Sequence, residues 1–571
     1  MTAPKRKSGW SELVRRDGVG SVWCEGREIL QRIFVTVRDK NWKEVAPTHW
    51  QSEIDEARGI ARLTARHESG SVGFEWRGTL HASEDRRQMR FEMLGRVFRD
   101  MEVCRLGLVV LHPVESMVGS QVGVAGPEST HRITVGEIIA PQPVVNGMPL
   151  AMTEPFSKLT VERPDFGKLE LEFEGELFEL EDQRNWGDAS FKTYCTPLRL
   201  GFPRKMKAGT AIRHCVEVRF VPGGRAKAAP VRDLSGTFPR IGCEWNRPGV
   251  VGVRHSPDRY DPAWDHLHCD VGALESVTEL AELLAADTSP RLQIAFEARD
   301  NGPPREAIEL LLAHCQRIAR LLIYGPRASL PSVAAVERWR GELEMAGADR
   351  DIAVLAATKG YFVEFNRGVA FDAPVAGIAF PLTATVHSDD TEMIGENVGA
   401  IREMAGTARN RTGAAEIAVA PLALYYPRPT TPQQFPAGLA APWLAATLIH
   451  AGLRGVQSVT LANDVIESMG TGAKANIAGF VLRLVGCTGR KIQALQGGFG
   501  LPKSLHAVVF TSAAPGEPRA LVANVCSRTL TFSLPGMGGE TLTATNAVAG
   551  ETSVLQGGDV EIPGFGVILV G

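Results

Sequence analysis

The sequence lacks several features that would place it in a class of protein at once. No apolar run approaches the length of a membrane span, and no hydrophobic segment follows the short basic start at Lys5 to Lys7, as a signal peptide would require. The nine cysteines are scattered without any C-x-x-C spacing, which favours reduced thiols over a disulfide framework. These absences predict a cytoplasmic protein that does not enter a membrane.

The charge also lacks a dominant sign. The formal net charge is −3, and lysine and arginine are not gathered into one tract, which argues against nucleic acid and acidic membrane surfaces as partners. The composition, with 44% hydrophobic and 22% charged residues, is that of an ordinary globular protein. Because 571 residues are too many for one hydrophobic core, length alone suggests about three or four domains.

The pattern of short strands and helices changes twice along the chain. Residues 1–225 carry β-type runs with little helical periodicity, which predicts an N-terminal β-sandwich, and the proline-bearing segment 222–239 follows as a linker. Residues 238–478 alternate apolar runs with helix-like segments, and eight such runs predict a (β/α)8 barrel. Residues 479–571 return to short strands and predict a C-terminal β-sandwich. The fold class is thus a multidomain α/β plus all-β protein with a central TIM-like barrel.

Two of the barrel's connections are less regular than the others. The segment 358–374, between the fifth and sixth strands, is predicted to be a long loop rather than a helix. The segment 392–408, after the sixth strand, is predicted to be a helix.

Side chains at the carboxyl ends of barrel strands face the active site in barrel enzymes. In this sequence those positions carry carboxylates, imidazoles, amides and guanidinium groups, a set that suits a small hydroxyl-rich molecule. The residues are Glu244, Asn246, His268, Asp270, Glu297, Arg299, Glu364, Asn366, Arg367, His387, Asp389 and Asn463.

Glu364 is the first choice for a general base. It lies in the apolar context of Phe362, Val363 and Phe365, where loss of hydration would raise the pKa of a carboxyl group towards neutral pH. Asn366 and Arg367 would orient the substrate or stabilise a developing oxyanion. The alternative is a loop glutamate paired with Arg367.

His387 follows an apolar run and precedes Ser388, Asp389 and Asp390, so it is placed to act as an acid or base near neutral pH. One of the two aspartates is also a good N-cap for the helix that follows.

Two other chemistries stay open at this point. His266, His268 and Asp270 alternate on one face of a strand, as in some zinc hydrolases, but H-x-H alone is unspecific and favours barrel-interior packing or substrate contact over a metal. Glu297 and Glu364 would suit a glycosidase pair. The layout resembles the barrel glycosidases, but those enzymes carry their carboxylates after the fourth and seventh strands, where this sequence has none.

The stretch from Phe178 to Tyr194 departs from an ordinary surface loop. Its charged, amide and aromatic side chains predict a binding loop that leaves a rigid sheet. The residues expected to bind are Asp182, Arg184, Asn185, Trp186 and Lys192. The alternative is a solvated loop held by its own ion pairs.

Three strings resemble a known family. FELEDQRNWGDASFKTYCTPL (Phe178 to Leu198) is similar to a string of the D-apionate lactonases, bacterial enzymes of apiose breakdown. GYFVEFNR (Gly360 to Arg367) and TATVHSDD (Thr383 to Asp390) resemble that family's barrel segments. The string TATVHSDD departs from the family pattern, with Ser388 and Asp389 in place of an aromatic–aspartate pair and Thr385 in place of a glutamine.

The resemblance implies hydrolysis of a sugar-acid lactone without a metal or organic cofactor. Glu364 would be the base and His387 the acid or oxyanion donor, and the polar loop from Asp182 to Lys192 would form a second wall of the barrel mouth. The expected substrate-binding residues are Glu297, Asn366, Arg367, Asp389, Glu244, His268, Asp182, Arg184, Asn185, Trp186 and Lys192.

The expected partner is a small sugar lactone or saccharide, and the sequence leaves a homo-oligomer open. The main alternative is a glycoside hydrolase acting on small glycosides. A further alternative is a carbohydrate-binding or scaffold protein without activity.

Overall fold

The computed structural model describes the chain from residue 10 onwards, apart from a set of short segments. Those segments are 128, 225–233, 246–263, 274–276, 286–289, 300–301, 348–351, 370, 372–373, 426–434, 437, 470–476, 496–503, 512–516, 534–541, 547, 549–550 and 556–558. The chain divides into two compact units, Met1–Pro230 and Val231–Gly571. Asn246, one of the strand-end residues named above, lies outside the described residues.

The first unit is built from antiparallel strands whose side chains alternate between a buried and an exposed face. In the strand Gly167–Glu174, for example, Leu169, Leu171 and Phe173 are buried, whereas the glutamates between them face outwards. The described strands form a nine-stranded sheet, in the order Thr130–Thr134, Gln121–Ala125, Lys158–Arg163, Gly167–Glu174, Ala211–Pro222, Gln88–Val97, Val72–Ala82, Ile60–Ser69 and His49–Asp55.

A second sheet of the same unit has seven described strands. Its order is Val14–Arg15, Gly18–Val19, Arg32–Asp39, Met101–Pro113, Ser190–Tyr194 and Glu179–Asp182, with Arg204–Met206 paired to Met101–Pro113. Two hairpins and a few short helices complete the unit: Val22–Cys24 with Arg27–Leu30, Val144–Val145 with Met148–Pro149, and the helical turns Trp10–Leu13, Glu56–Arg58, Val114–Met117, Gln183–Trp186 and Leu198–Leu200. Buried residues of both sheets, such as Val35 and Leu108 of one and Phe91 and Phe220 of the other, belong to one hydrophobic core.

The second unit contains a closed barrel of eight parallel strands. The strands are Arg240–Glu244, His266–Asp270, Arg291–Glu297, Ile318–Tyr324, Ala353–Ala357, Gly377–Thr383, Glu416–Ala423 and Ser458–Leu461. The described helices and helical turns that accompany them are Val271–Ala273, Val277–Ala285, Arg305–Ala313, Cys315–Arg317, Pro326–Ala328, Val333–Met345, Phe362–Gly368, Thr391–Asn397, Ala400–Thr412, Ala440–Leu453, Asn463–Met469 and Ile477–Val485. The predicted barrel is therefore present.

Two sequence-based predictions about its connections are wrong in detail. The segment 358–374 contains a helix, Phe362–Gly368, because Phe362 and Phe365 lie on one face and pack against Phe380 with ring centroids 5.0 and 5.5 Å away. The single helix predicted at 392–408 is two helices, Thr391–Asn397 and Ala400–Thr412.

The last part of the chain forms another antiparallel sheet, and a strand from before the barrel joins it. The described order is Ser235–Thr237, Lys491–Ala494, Leu505–Phe510, Ala520–Asn524, Val567–Val570, Leu542–Asn546 and Thr552–Leu555, and Leu530–Ser533 pairs with Asp559–Ile562 separately. His450, on a barrel helix, and His506, on this sheet, approach within 2.9 Å. This sheet therefore belongs to the same compact unit as the barrel.

None of the helices in the described ranges has both the length and the apolarity needed to cross a bilayer.

The amino-terminal end of the barrel is filled by charged side chains rather than by aliphatic ones. Arg320, only 2% exposed, approaches Glu416 at 3.4 Å and Asp265 at 3.8 Å, and donates a hydrogen bond to the Gln293 side chain at 3.3 Å. It also donates to the Ser458 hydroxyl. Burial lowers the pKa of the Arg320 guanidinium, and the two carboxylates oppose that effect. This network lies inside the closed barrel.

We expect Arg320→Ala to lower the free energy of unfolding by about 3–5 kcal/mol, because Asp265 and Glu416 would remain largely buried without this partner. Urea-induced unfolding measures the change. The control is Arg305→Ala, since Arg305 pairs with Glu309 but is 90% exposed, and it should alter stability by less than about 0.5 kcal/mol. Equal effects of the two substitutions would mean that the network does not stabilise the barrel.

Candidate active site

Three residues from different strands meet at the carboxyl end of the barrel. Asp270 ends the second strand, and Lys359, just after the fifth, donates from Nζ to its Oδ2 at 2.5 Å. The same ammonium group lies 4.9 Å from the ring centroid of Tyr324, which ends the fourth strand. The three side chains form a charged and aromatic group on the barrel rim.

His266 and His268 lie beneath this group, inside the barrel. Both ring nitrogens of His266 have partners, with Asp265 at 3.0 Å and the Thr460 hydroxyl at 2.8 Å, and His268 Nδ1 lies 3.1 Å from Gln293 Nε2. Burial lowers the pKa of each histidine to about 4. Two neutral, hydrogen-bonded imidazoles fill the barrel interior here.

The zinc alternative is not supported by these contacts. Among the described residues, His266, His268 and Asp270 do not bring ligand atoms close enough together to hold an ion. A group that does have such spacing, Glu176, Cys195 and His214, lies in the first unit, where Arg204 is 3.0 Å from the Glu176 carboxylate.

A second group of rim residues joins the first, sixth, seventh and eighth strands. Glu244 Oε2 accepts hydrogen bonds from the backbone and the side-chain nitrogen of Asn463, each at 3.2 Å. Asp464 Oδ2 accepts from the backbone nitrogens of Leu424 and Tyr425 at 3.1 and 2.9 Å. Glu244 is thus held at the rim by the start of the helix after the eighth strand.

Tyr425 connects this group to Asp389. Burial, followed by the negative charges of Asp389 and Asp464, raises the pKa of the Tyr425 phenol to about 12. Its hydroxyl is buried and has no hydrogen-bond partner among the described residues. The phenol is therefore a neutral hydrogen-bond donor.

Glu364 lies in the first turn of the helix Phe362–Gly368. Its Oε2 is buried without a hydrogen-bond partner among the described residues, and its Oε1 is 3.8 Å from Arg367 Nη1. Burial raises the pKa of the carboxyl group, and the helix backbone and Arg367 offset part of that effect. A carboxylate with an oxygen that no donor satisfies is suited to accept a proton from a bound water or substrate.

Asn366 has a different environment from its neighbours on the same helix. It is 0% exposed, and Arg411 donates to both its backbone and side-chain oxygens while a second Arg411 nitrogen donates to Val369 at 3.1 Å. These contacts fix the carboxyl end of the helix, so Asn366 helps to hold the helix in place.

The remaining barrel residues named from the sequence lie at or beyond strand ends. Glu297 ends the third strand and is exposed, and the half-buried His387 follows the end of the sixth strand at Thr383. Of the two aspartates that were considered as an N-cap, Asp390 is the cap, because its side chain accepts from the Met393 backbone at 3.1 Å. Asp389 is exposed and faces Tyr425.

The polar stretch of the first unit is buried, not solvated. Asp182 and Arg184 form a bidentate ion pair with contacts of 2.8 and 2.7 Å, and Asn185 donates to the Ala140 carbonyl at 2.9 Å. Trp186 is half-buried. Lys192 lies 3.5 Å from Glu181, and burial lowers the pKa of its ammonium group. These contacts fit the alternative of a loop held by its own ion pairs. They differ from it in one respect, because that alternative predicted a loop exposed to solvent and this one is buried.

Four rim residues were not singled out from the sequence: Tyr324, Lys359, Tyr425 and Asp464. Tyr324 ends an apolar run and Lys359 lies two residues beyond another, so position at a strand end could have indicated both. The bond from Asp464 to Leu424 and Tyr425 joins residues about 40 positions apart, and local spacing gives no sign of it.

The second unit is thus a (β/α)8-type barrel with ionisable side chains at the carboxyl ends of its strands, where barrel enzymes carry their active sites. Residues 3–222 match the family model described as the D-apionate lactonase N-terminal domain, which confirms the resemblance seen in the sequence.

A curated relative supports the same family. The chain is 28% identical over 206 residues to the D-apionate lactonase of Brucella anthropi, a match that covers 35% of this chain and 32% of that protein. The chain therefore matches about a third of the length of this relative.

Solved structures show weaker likenesses. A 4-O-α-L-rhamnosyl-β-D-glucuronidase from Fusarium oxysporum is 11% identical with a TM-score of 0.39, and the match covers 59% of this chain and 97% of that one. A GH36 α-galactosidase from Geobacillus stearothermophilus is 10% identical with a TM-score of 0.26 over 94% and 89% of the two chains. Likenesses at this level carry no conclusion about the reaction.

Stability should depend on pH through His268. Its pKa is about 4 in the folded protein, against an ordinary value of 6.5, so the unfolded chain binds more protons below pH 6.5 and stability falls from there towards pH 4. Between pH 7.5 and 5 this histidine should contribute about 2 kcal/mol to the loss. His268→Gln should remove that contribution, and urea unfolding at the two pH values measures it. The exposed His131→Gln is the control, and an equal change in both variants would contradict the assignment.

Proposed function

We propose that the protein hydrolyses the lactone of a sugar acid, such as D-apionolactone, to the open acid in bacterial carbohydrate catabolism. The observation that carries the reaction class is the family match of residues 3–222. The reaction would take place at the barrel rim, within a chain organised as an N-terminal β-sandwich (1–225), a barrel (238–478) and a C-terminal β-sandwich (479–571). The nine cysteines, scattered without C-x-x-C spacing, suit a reducing cytoplasm.

Glu364 is the proposed general base. Its unpartnered Oε2 takes a proton from water as the water oxygen attacks the lactone carbonyl carbon. Arg367, 3.8 Å from the same carboxylate, would supply positive charge to the oxyanion that forms. The ring C–O bond then breaks, and His387 donates the proton that the leaving alkoxide takes up.

The rim carboxylates are the proposed contacts for the sugar hydroxyls. Glu244, Glu297 and Asp389 offer acceptor oxygens from the first, third and sixth strands, and Lys359 and Tyr425 add donors. His268 lies below Lys359 and would form the bottom of the proposed sugar site. In this arrangement Asn366 positions the helix that carries Glu364.

Assays on a panel of aldonolactones that includes D-apionolactone test the reaction class. The purified, EDTA-treated protein should release acid, detected with a pH indicator, at a rate above spontaneous hydrolysis. If none of the lactones is hydrolysed and nitrophenyl glycosides are cleaved, the result would favour the glycoside hydrolase alternative instead. That alternative needs two carboxylates facing each other across the mouth, and in the described ranges the fourth and seventh strands end without one.

The role of Glu364 is tested by Glu364→Gln, which keeps the shape of the side chain and removes the base. We expect kcat/KM to fall by about 100-fold or more, the usual contribution of general acid–base catalysis. Because burial raises the pKa of this carboxyl group, kcat/KM of the unmodified enzyme should rise with pH above the ordinary carboxyl range, and the variant should lose this rise.

Glu337→Gln is the matched control, since Glu337 lies on another barrel helix and pairs only with Arg340 among the described residues. Its kcat/KM should stay within about twofold of the unmodified enzyme. Full activity in Glu364→Gln, or the same loss in both variants, would refute the assignment.

A further inference from the structure

A groove of about 1120 Å³ crosses the outer face of the nine-stranded sheet in the first unit. Four arginines line it: Arg66, Arg77, Arg96 and Arg213. They come from four strands that are neighbours in the sheet, Ile60–Ser69, Val72–Ala82, Gln88–Val97 and Ala211–Pro222. We call this feature the arginine groove, and its size is that of a ligand site.

The strand register concentrates three of these guanidinium groups around one apolar side chain. Leu94 pairs with Arg77 on one neighbouring strand and with Arg213 on the other, and Arg96 follows two positions along the same face. Arg77 and Arg96 are thus diagonal neighbours on adjacent strands, and the residue directly opposite Arg96 is Glu75. A bound anion would contact both guanidinium groups.

The four arginines differ in how they are neutralised. Arg66 is 3.2 Å from both Glu68 and Glu75, and Arg213 is 2.6 Å from Glu92 and 2.9 Å from Glu174. Arg77 and Arg96 are exposed and form no ion pair among the described residues, although Glu75 lies opposite Arg96 in the strand register. The groove therefore contains two ion-paired arginines beside two that have no ion-pair partner in the described part of the chain.

We propose that the arginine groove binds an acidic oligosaccharide that contains uronate residues. Guanidinium groups bind carboxylates in a bidentate manner, so Arg77 and Arg96 would hold uronate carboxylates. The Glu75 carboxylate in the groove accepts hydrogen bonds from sugar hydroxyls. Gln51, exposed on the edge strand, lies on the same face as Arg77, since both align with Thr64 between them, and its amide would contact sugar hydroxyls.

The carboxylates distinguish this ligand from a nucleic acid. Glu75 lines the groove, and Glu68, Glu92 and Glu174 hold its arginines, so the groove offers acceptors for sugar hydroxyls, which the phosphodiester backbone of DNA lacks. The net charge of the chain, −3, gives no general attraction for a polyanion either. The groove belongs to the first unit alone, so this proposal does not depend on the barrel's reaction.

Isothermal titration calorimetry of the full chain with trigalacturonate tests the proposal, with the uncharged maltotriose as a comparison. Trigalacturonate should bind and maltotriose should not. The double variant Arg77→Gln, Arg96→Gln should weaken trigalacturonate binding by about tenfold or more, since two charge-assisted contacts are lost. Its lactonase activity should equal that of the unmodified protein.

The matched control is Arg62→Gln, Arg132→Gln, which removes the same charge from exposed positions of the same sheet outside the groove. It should leave trigalacturonate binding unchanged, and circular dichroism should show both double variants folded. The proposal is overturned if trigalacturonate does not bind, if maltotriose binds equally well, or if the control weakens binding as much. Binding of a short oligothymidylate through Arg77 and Arg96, without binding of trigalacturonate, would also overturn it.

Discussion

The hydrogen-bonded charge network around Arg320 is the constraint on which the barrel depends. Barrels of this type are usually filled by layers of branched aliphatic side chains. Here the amino-terminal part of the barrel holds Arg320, its two carboxylates and Gln293, and His266 and His268 contact Asp265 and Gln293 of this network. Each group has a partner, so ion pairs and hydrogen bonds inside the barrel offset the free energy of desolvating the charges.

The layer above this network consists largely of small side chains, and its composition has a consequence for the rim. The inward-facing core near the carboxyl ends includes five alanines: Ala295, Ala357, Ala379, Ala418 and Ala420. Alanines fill less of the barrel than branched residues would, so more of the packed interior is left to the polar network beneath the rim residues Asp270, Lys359 and Glu244.

Much of the architecture could be predicted from sequence, because it depends on local periodicity. Alternation in Gly167–Glu174 indicates a half-exposed strand, and eight apolar runs between helical segments indicate the barrel. The helix Phe362–Gly368 was missed because its aromatic residues favour a strand or loop locally, and its packing against Phe380 decides otherwise. Tertiary contacts override local preference there.

The site was only partly predictable, for a different physical reason. Polar side chains indicate a binding loop or a buried network equally well until their partners are known. Asp182 and Arg184 satisfy each other inside the first unit, so the polar string there supports the loop itself. Strand-end reasoning selected Glu244, Asp270 and Glu364, but not the Lys359 that pairs with Asp270, because that contact depends on the closure of the barrel.

Both the barrel site and the arginine groove contain polar groups without a protein partner among the described residues. The free-energy cost of the missing partner differs between the two. The Glu364 Oε2 is buried, so the lack of a donor costs free energy that a folded protein retains only where something else is gained. Arg77 and Arg96 are exposed, and water satisfies their donors at little cost. In the groove, the diagonal placement of Arg77 and Arg96 on adjacent strands and the shape of the surface favour an anionic ligand instead. For Glu364, desolvation alone makes an unpaired carboxylate unusual, and a base that must accept a proton needs such an oxygen.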